Sequence, residues 1–135
     1  MAAPVPTRLV LHRKSRALEI GYADGTGYTL PAEYLRVYSP SAEVRGHGSG
    51  EPMLVGGKHA VAINAVEPVG RYAVRLRFDD GHDTGLYSWE VLHELAQRQQ
   101  QWWARYLERL AEHGMSRDSD LTKLSALPKK YTPKP

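Results

Sequence analysis

Six histidines and no cysteine set the range of chemistry open to this 135-residue chain. Without a thiolate there is no disulfide, no Fe–S cluster ligated by the chain and no thiolate zinc site. His82 stands out among the imidazoles because Asp79, Asp80 and Asp83 flank it. A neighbouring carboxylate raises the pKa of an imidazole and orients its ring, and a histidine so placed could ligate metal through its neutral form or act as a general base. The same residue types equally suit a turn histidine whose ring packs on Tyr87 or bonds the backbone. Glu43 and His47 lie four residues apart, and His59 follows a glycine-rich stretch. One carboxylate with two or three imidazoles suits zinc or ferrous iron, so His82, His47 and Glu43 are the candidate metal ligands. Against that set, the glycines oppose a helix that would bring Glu43 and His47 to one face, and the His-x-Asp/Glu spacing of a facial triad is missing.

Other reaction classes find less support. There is no Gly-x-Ser-x-Gly elbow, no phosphate-binding Gly-x-x-x-x-Gly-Lys-Ser/Thr loop and no Gly-x-Gly-x-x-Gly fingerprint. Gly25-Thr26-Gly27 and Gly46-His47-Gly48-Ser49-Gly50 are too lean for phosphate cradles, and no residue emerges as catalytic.

The elements that must position His82 read from alternation and turn residues. Leu9 and Leu11 mark a first strand, and Leu18, Ile20 and Tyr22 a second that pairs back on it. Asp24-Gly25 supplies a turn tolerant of positive φ, and Tyr28 and Leu30 a return strand. Pro31 then opens a helical turn through Arg36, with Glu33 near its positive end. Glycines and prolines from Tyr38 to Lys58 predict irregular structure. Strand character resumes at Ala60–Val66 and Tyr72–Phe78, the latter with Tyr72, Val74, Leu76 and Phe78 on one face. The run from Leu18 to Glu33 resembles that from Val74 to Glu90: strand, Asp-Gly turn, strand, helix start. It reads either as a duplicated unit or as two independent hairpins of a common kind. Ser88 is the expected N-cap of a long helix carrying Leu92, Leu95, Trp102, Tyr106 and Leu110, with Gly114 as its left-handed stop. The fold class is therefore α+β: a small antiparallel or mixed sheet built from hairpins, with one long C-terminal helix.

That gives one domain over residues 6–114 and a flexible tail over 115–135. Through Gly114 the chain carries 13 basic and 13 acidic residues. The net charge of +3 lies in the tail, where Arg117, Lys123, Lys129, Lys130 and Lys134 face only Asp118 and Asp120. The pI near 9.2 thus reflects a tail, not a basic face, which argues against nucleic-acid binding by the domain. No apolar run approaches the ~18 residues that would span a bilayer, so a membrane role is not expected. Absence of cysteine and of an apolar leader points to the cytoplasm. Gln97–Gln101 is polar all round, so the Trp102-Trp103 end of the helix overhangs. Trp102, Trp103 and Tyr106 there form a candidate protein-docking surface, or a route to homo-oligomers; the alternative is that Trp102 caps the domain's own core.

Three ordered motifs carry a family resemblance: Leu35–Val44, Val66–Ala73 and Phe78–Trp89. Together they resemble the DUF971 family, a domain also found at the N-terminus of gamma-butyrobetaine hydroxylase. The resemblance covers Pro6 to Leu95. It implies a structural zinc held by three cysteines and one histidine; the matching positions here are Ser39, Ser41, Val44 and His82. Three of four zinc ligands are thereby replaced, leaving either a metal-free corner held by hydrogen bonds or a different site in which His47 and Glu43 join His82. The hydroxylase's chemistry resides in a separate jelly-roll domain for which this chain has no room, so resemblance does not bring its reaction. Similar domains are appended to some plastid P-loop ATPases that carry Fe–S clusters, which implies an accessory role in cluster assembly as one alternative. The sequence thus favours a non-catalytic protein-binding domain with no cofactor, zinc or iron being the alternative.

Overall fold

A computed structural model describes residues 3–40 and 52–118. Three strands, β1 (Arg8–His12), β2 (Ala17–Gly21) and β3 (Gly27–Pro31), form an antiparallel meander that leads into the short helix α1 (Ala32–Val37). A second meander, β4 (Ile63–Val69), β5 (Ala73–Phe78) and β6 (Gly85–Ser88), leads into α2 (Trp89–Gln97), and α3 (Gln99–Glu112) follows. The architecture is α+β, as the hairpin pattern predicts.

The resemblance between the two Asp-Gly hairpins is structural. Gly25 and Gly81 both adopt φ +91°, a conformation costly for a residue with a Cβ. Tyr22 N–H donates to the Thr26 carbonyl at 3.0 Å, and Phe78 N–H to that of His82 at 2.9 Å. Asp24 Oδ1 accepts the Thr26 amide and Asp80 Oδ1 the His82 amide, each at 3.0 Å. Each helix also begins alike: Ala32 N–H reaches back to the Arg16 carbonyl at 2.8 Å, and Trp89 N–H to that of Tyr72 at 3.0 Å. The chain is therefore a tandem pair of strand–strand–strand–helix units.

Both units feed one core. Leu18, Ile20 and Leu30 from the first sheet pack with Val74, Leu76 and Tyr87 from the second, and with Leu92 and Leu95 of α2. The β5 alternation behaves as predicted for Val74, Leu76 and Phe78, which are buried. Tyr72 departs from it: one residue before the strand, in the β4–β5 turn, it is 75% exposed. All six residues of α1 are buried, including Glu33 and Arg36, so this helix lies inside the molecule rather than on its surface. Pro31 occupies its N-cap position, one residue earlier than the predicted first-turn place.

The long helix is divided. Ser88 caps α2 as predicted, its hydroxyl accepting the Val91 amide at 3.2 Å. Arg98 then leaves helical geometry and α3 starts anew. The break falls where the sequence is polar on all sides and where the Leu95 carbonyl accepts the Tyr34 hydroxyl at 2.7 Å. Gly114, at φ +64°, ends α3 beyond the His113 cap. Met115–Asp118 do not leave the domain: they fold back across it, as described below. No helix among the described residues is long and apolar enough to cross a membrane.

Candidate functional site

The connection out of α1 passes through Tyr38 and Ser39, and the Asp80-Gly81 turn delivers His82 to meet it. Ser39 is fully buried and His82 is 6% exposed, and Ser39 Oγ lies 3.0 Å from His82 Nε2. The imidazole packs on Phe78, with ring centroids 6.0 Å apart. Tyr87 approaches from β6: its hydroxyl donates to the Leu35 carbonyl at 2.5 Å, and Ser39 also bonds its side chain. Burial pushes the Tyr87 hydroxyl far above the usual phenol range, so it is a neutral donor. Gly85 lies directly beneath. A Cβ there would sit 2.4 Å from Ser39 Oγ and 3.1 Å from a Tyr87 ring carbon, so the corner closes only over glycine.

An ionic cluster borders the corner. Asp80 Oδ2 accepts Arg36 Nε at 2.8 Å and Lys58 Nζ at 2.7 Å. Burial alone would raise the Asp80 pKa, but bonds from Lys58, the His82 amide and Arg36 hold it down at about 2. Asp80 is thus an anion at neutral pH, and it orders the turn carrying His82. On the other strand Arg75 and Arg77 pair with Glu67, and Arg77 also with Asp83, so this carboxylate turns toward Arg77.

These residues do not fit a structural zinc ion. A serine hydroxyl is a poor donor beside a thiolate, valine offers none, and one imidazole cannot satisfy a tetrahedral site. Of the predicted metal ligands, His82 is described; Glu43 and His47, with Ser41 and Val44, lie outside the described residues. His59 is exposed on the far side of the Lys58 contact, within 4.0 Å of Asp118. Among the described residues no cluster of three His, Asp or Glu side chains is placed to hold a metal.

The aromatic residues singled out on α3 turn largely inward. Tyr106 is buried and donates its hydroxyl to the Val55 carbonyl at 2.6 Å. Trp102 stacks on Tyr38 at 5.3 Å and caps the core, while Trp103 lies between Tyr34 and Tyr106. Both tryptophans keep half-exposed edges. A cleft of about 670 Å³ opens between α2 and α3, walled by Tyr38, Val91, Leu95 and Trp102 and rimmed by Glu94 and Arg105.

Sequence reasoning overlooked a second buried charge. Glu33, 5% exposed, receives both Nε (2.9 Å) and Nη2 (2.7 Å) of Arg117, whose guanidinium also lies 5.2 Å over the Trp103 ring. No local signal marks this pair, because its members are 84 residues apart.

With that geometry in hand, the chain can be set beside known proteins. Residues 9–93 match the profile described as gamma-butyrobetaine hydroxylase-like, N-terminal. The match ends within α2, so α3 and Met115–Asp118 lie beyond it. Two solution NMR structures are similar over most of their length. One is 51% identical, covers 88% of this chain and 94% of its own, and has a TM-score of 0.76. The other is 58% identical, covers 86% of each chain and has a TM-score of 0.75. A crystal structure of a DUF971 protein of unknown function from Acidithiobacillus ferrooxidans is 40% identical over 67% of this chain and 91% of its own, with a TM-score of 0.57. Among curated proteins none matches. The extent of the profile match and these identities place the chain in the family of gamma-butyrobetaine hydroxylase-like N-terminal domains, DUF971.

Proposed function

We propose that this chain is a non-catalytic accessory domain that works by docking a protein partner. The observation that carries the reading is the Ser39–His82 hydrogen bond. At the corner where the resembled hydroxylase domain holds zinc, a neutral hydroxyl and one imidazole close on each other, out of contact with bulk water. A nucleophile or general base needs an open approach and a tuned pKa. Here Asp80 is neutralised by two cations, and the hydroxyls of the buried Tyr34, Tyr87 and Tyr106 donate to backbone carbonyls. What remains outward is surface: the cleft beside Trp102 and the exposed Leu107 edge of α3.

Two measurements on untagged full-length protein test this reading. Elemental analysis is expected to find zinc and iron well below one equivalent per chain. Capture from the native cell is expected to retain a partner that is lost with Leu107→Glu. Stoichiometric metal that disappears in His82→Ala would overturn the reading in favour of a site built from His82, His47 and Glu43. Turnover of 2-oxoglutarate would overturn it in favour of an enzyme. Identification of the captured protein as an Fe–S assembly factor would specify the accessory role, and sedimentation would show whether the partner is a second copy.

A further inference from the structure

Met115–Asp118 sit against the domain the way a bound peptide sits in a receptor. The Ser116 carbonyl accepts the Gly57 amide at 2.9 Å, and the Arg117 carbonyl accepts the His59 amide at 2.9 Å. The approach is so close that a Cβ on Gly56 would lie 2.7 Å from Ser116 O. The Arg117 side chain then enters a pocket with a carboxylate at its base and an indole along its wall, Glu33 and Trp103. A bidentate guanidinium–carboxylate pair beside an aromatic face selects arginine over lysine, because only the planar fork meets both oxygens and the ring together. Two backbone donors plus one specificity pocket are the parts of an extended-peptide site.

We propose that Glu33, Gly57, His59 and Trp103 form a recognition site for an extended, arginine-bearing segment of a partner protein, filled in this structure by the chain's own Ser116-Arg117. The proposal names a site for the docking role argued above and rests on that reading. Three features support exchange. Glu33 is a buried anion that needs a cation, and within the domain that cation comes from outside the family-matched span of residues 9–93. The Arg117 side chain is itself 37% exposed, so it can leave before anything else moves. Gly114, at φ +64°, is a ready pivot immediately before the segment. Exchange with a second copy is disfavoured by reach, since the three residues from Gly114 to Arg117 extend at most ~10 Å.

The test uses the full chain carrying Arg117→Ala and a capped synthetic peptide spanning His113–Asp118. The Gly57 and His59 amides and the Trp103 indole are followed by NMR. Saturable shifts at these three groups are expected. Affinity should be at least tenfold higher than for the wild-type chain, whose tethered segment competes at an effective concentration on the order of millimolar, and at least tenfold higher than for a peptide with lysine in place of arginine. A folded Arg117→Ala chain that shows no saturable shift there overturns the proposal, as does equal binding of the lysine peptide. Should Arg117→Ala fail to fold, hydrogen exchange of the wild-type chain decides. Gly57 and His59 amides exchanging faster than that of Leu76 support opening of the site, and exchange only at the Leu76 rate overturns it. A negative peptide result leaves the partner-capture and metal measurements to be read on their own, so the two proposals fail separately.

Discussion

Replacing Gly85 with alanine strikes the Ser39–His82 corner with a single methyl group. The added Cβ would meet Ser39 Oγ at 2.4 Å, inside any permitted separation, while Ser39 Cβ would remain at an ordinary 3.6 Å. Gly85 needs no positive φ, so the effect is purely steric. Ser39 must rotate, which removes its bond to His82, and the Tyr87 ring at 3.1 Å has to yield slightly. Overpacking of this kind costs about 1–3 kcal/mol, and loss of a buried hydrogen bond adds about 1. Gly85→Ala is therefore expected to lose about 2–4 kcal/mol in urea unfolding followed by circular dichroism. Ser39→Ala alone should lose about 1–3 kcal/mol by leaving the buried imidazole nitrogen without this partner. The decisive measurement is the double variant. Once Oγ is gone the clash is gone, and a bond already broken cannot be lost again. The pair should thus be less destabilised than the sum of the singles by about 1–3 kcal/mol. Simple additivity would refute the claim that Gly85 exists to admit the Ser39 hydroxyl.

Three further outcomes are expected. Tyr87→Phe should cost about 1–2 kcal/mol in the same unfolding assay, because the Leu35 carbonyl loses a buried donor. Arg117→Ala should cost about 2 kcal/mol, short of the full cost of breaking a buried pair because the arginine is partly solvated, and Arg117→Lys should recover only part of it. Asp80 predicts acid sensitivity: its folded pKa of about 2 lies below the ~3.9 of an unfolded aspartate, so its contribution is present above pH ~4 and lost as the pH falls toward 2. Allowing for solvent screening, that loss is about 1 kcal/mol, and urea titrations from pH 5 to pH 2 should show a shallower decline in Asp80→Asn than in the wild type.

How far the sequence reveals these features depends on how local their cause is. The alternation of Val74, Leu76 and Phe78, the Asp-Gly turns, the Ser88 cap and the Gly114 stop each depend on a few neighbouring residues, and each appears in the structure where its local signal places it. The division of the helix at Arg98 hinges on a tyrosine hydroxyl arriving from α1, which no window around Arg98 contains. The burial of Glu33 and Arg36 was equally illegible. Their places at the two ends of α1 look like ordinary dipole complements on an exposed turn, whereas each is buried and neutralised by a residue from another part of the chain. Ser39 is a middle case. Spacing gives it no distinction, but the family resemblance marks its position, and the structure shows a hydroxyl meeting His82 there.

The tandem architecture explains why the corner exists in one unit only. Asp24 and Asp80 hold the same turn in the same way, presenting Thr26 in the first unit and His82 in the second. The first turn stays exposed, and there Asp24 accepts both the amide and the hydroxyl of Thr26. The second turn faces the chain leaving α1, so Asp80 gains Arg36 and Lys58 while the residue two places on is driven inward onto Ser39. One backbone motif thus yields a plain surface hairpin or a buried polar knot, depending on whether another segment crosses it. Zinc chemistry needs that crossing to bring four donors together, and hydrogen bonding needs only two. In this chain the corner is closed in the second way. The ion pairs around Asp80 and the glycine beneath Ser39 support that closure.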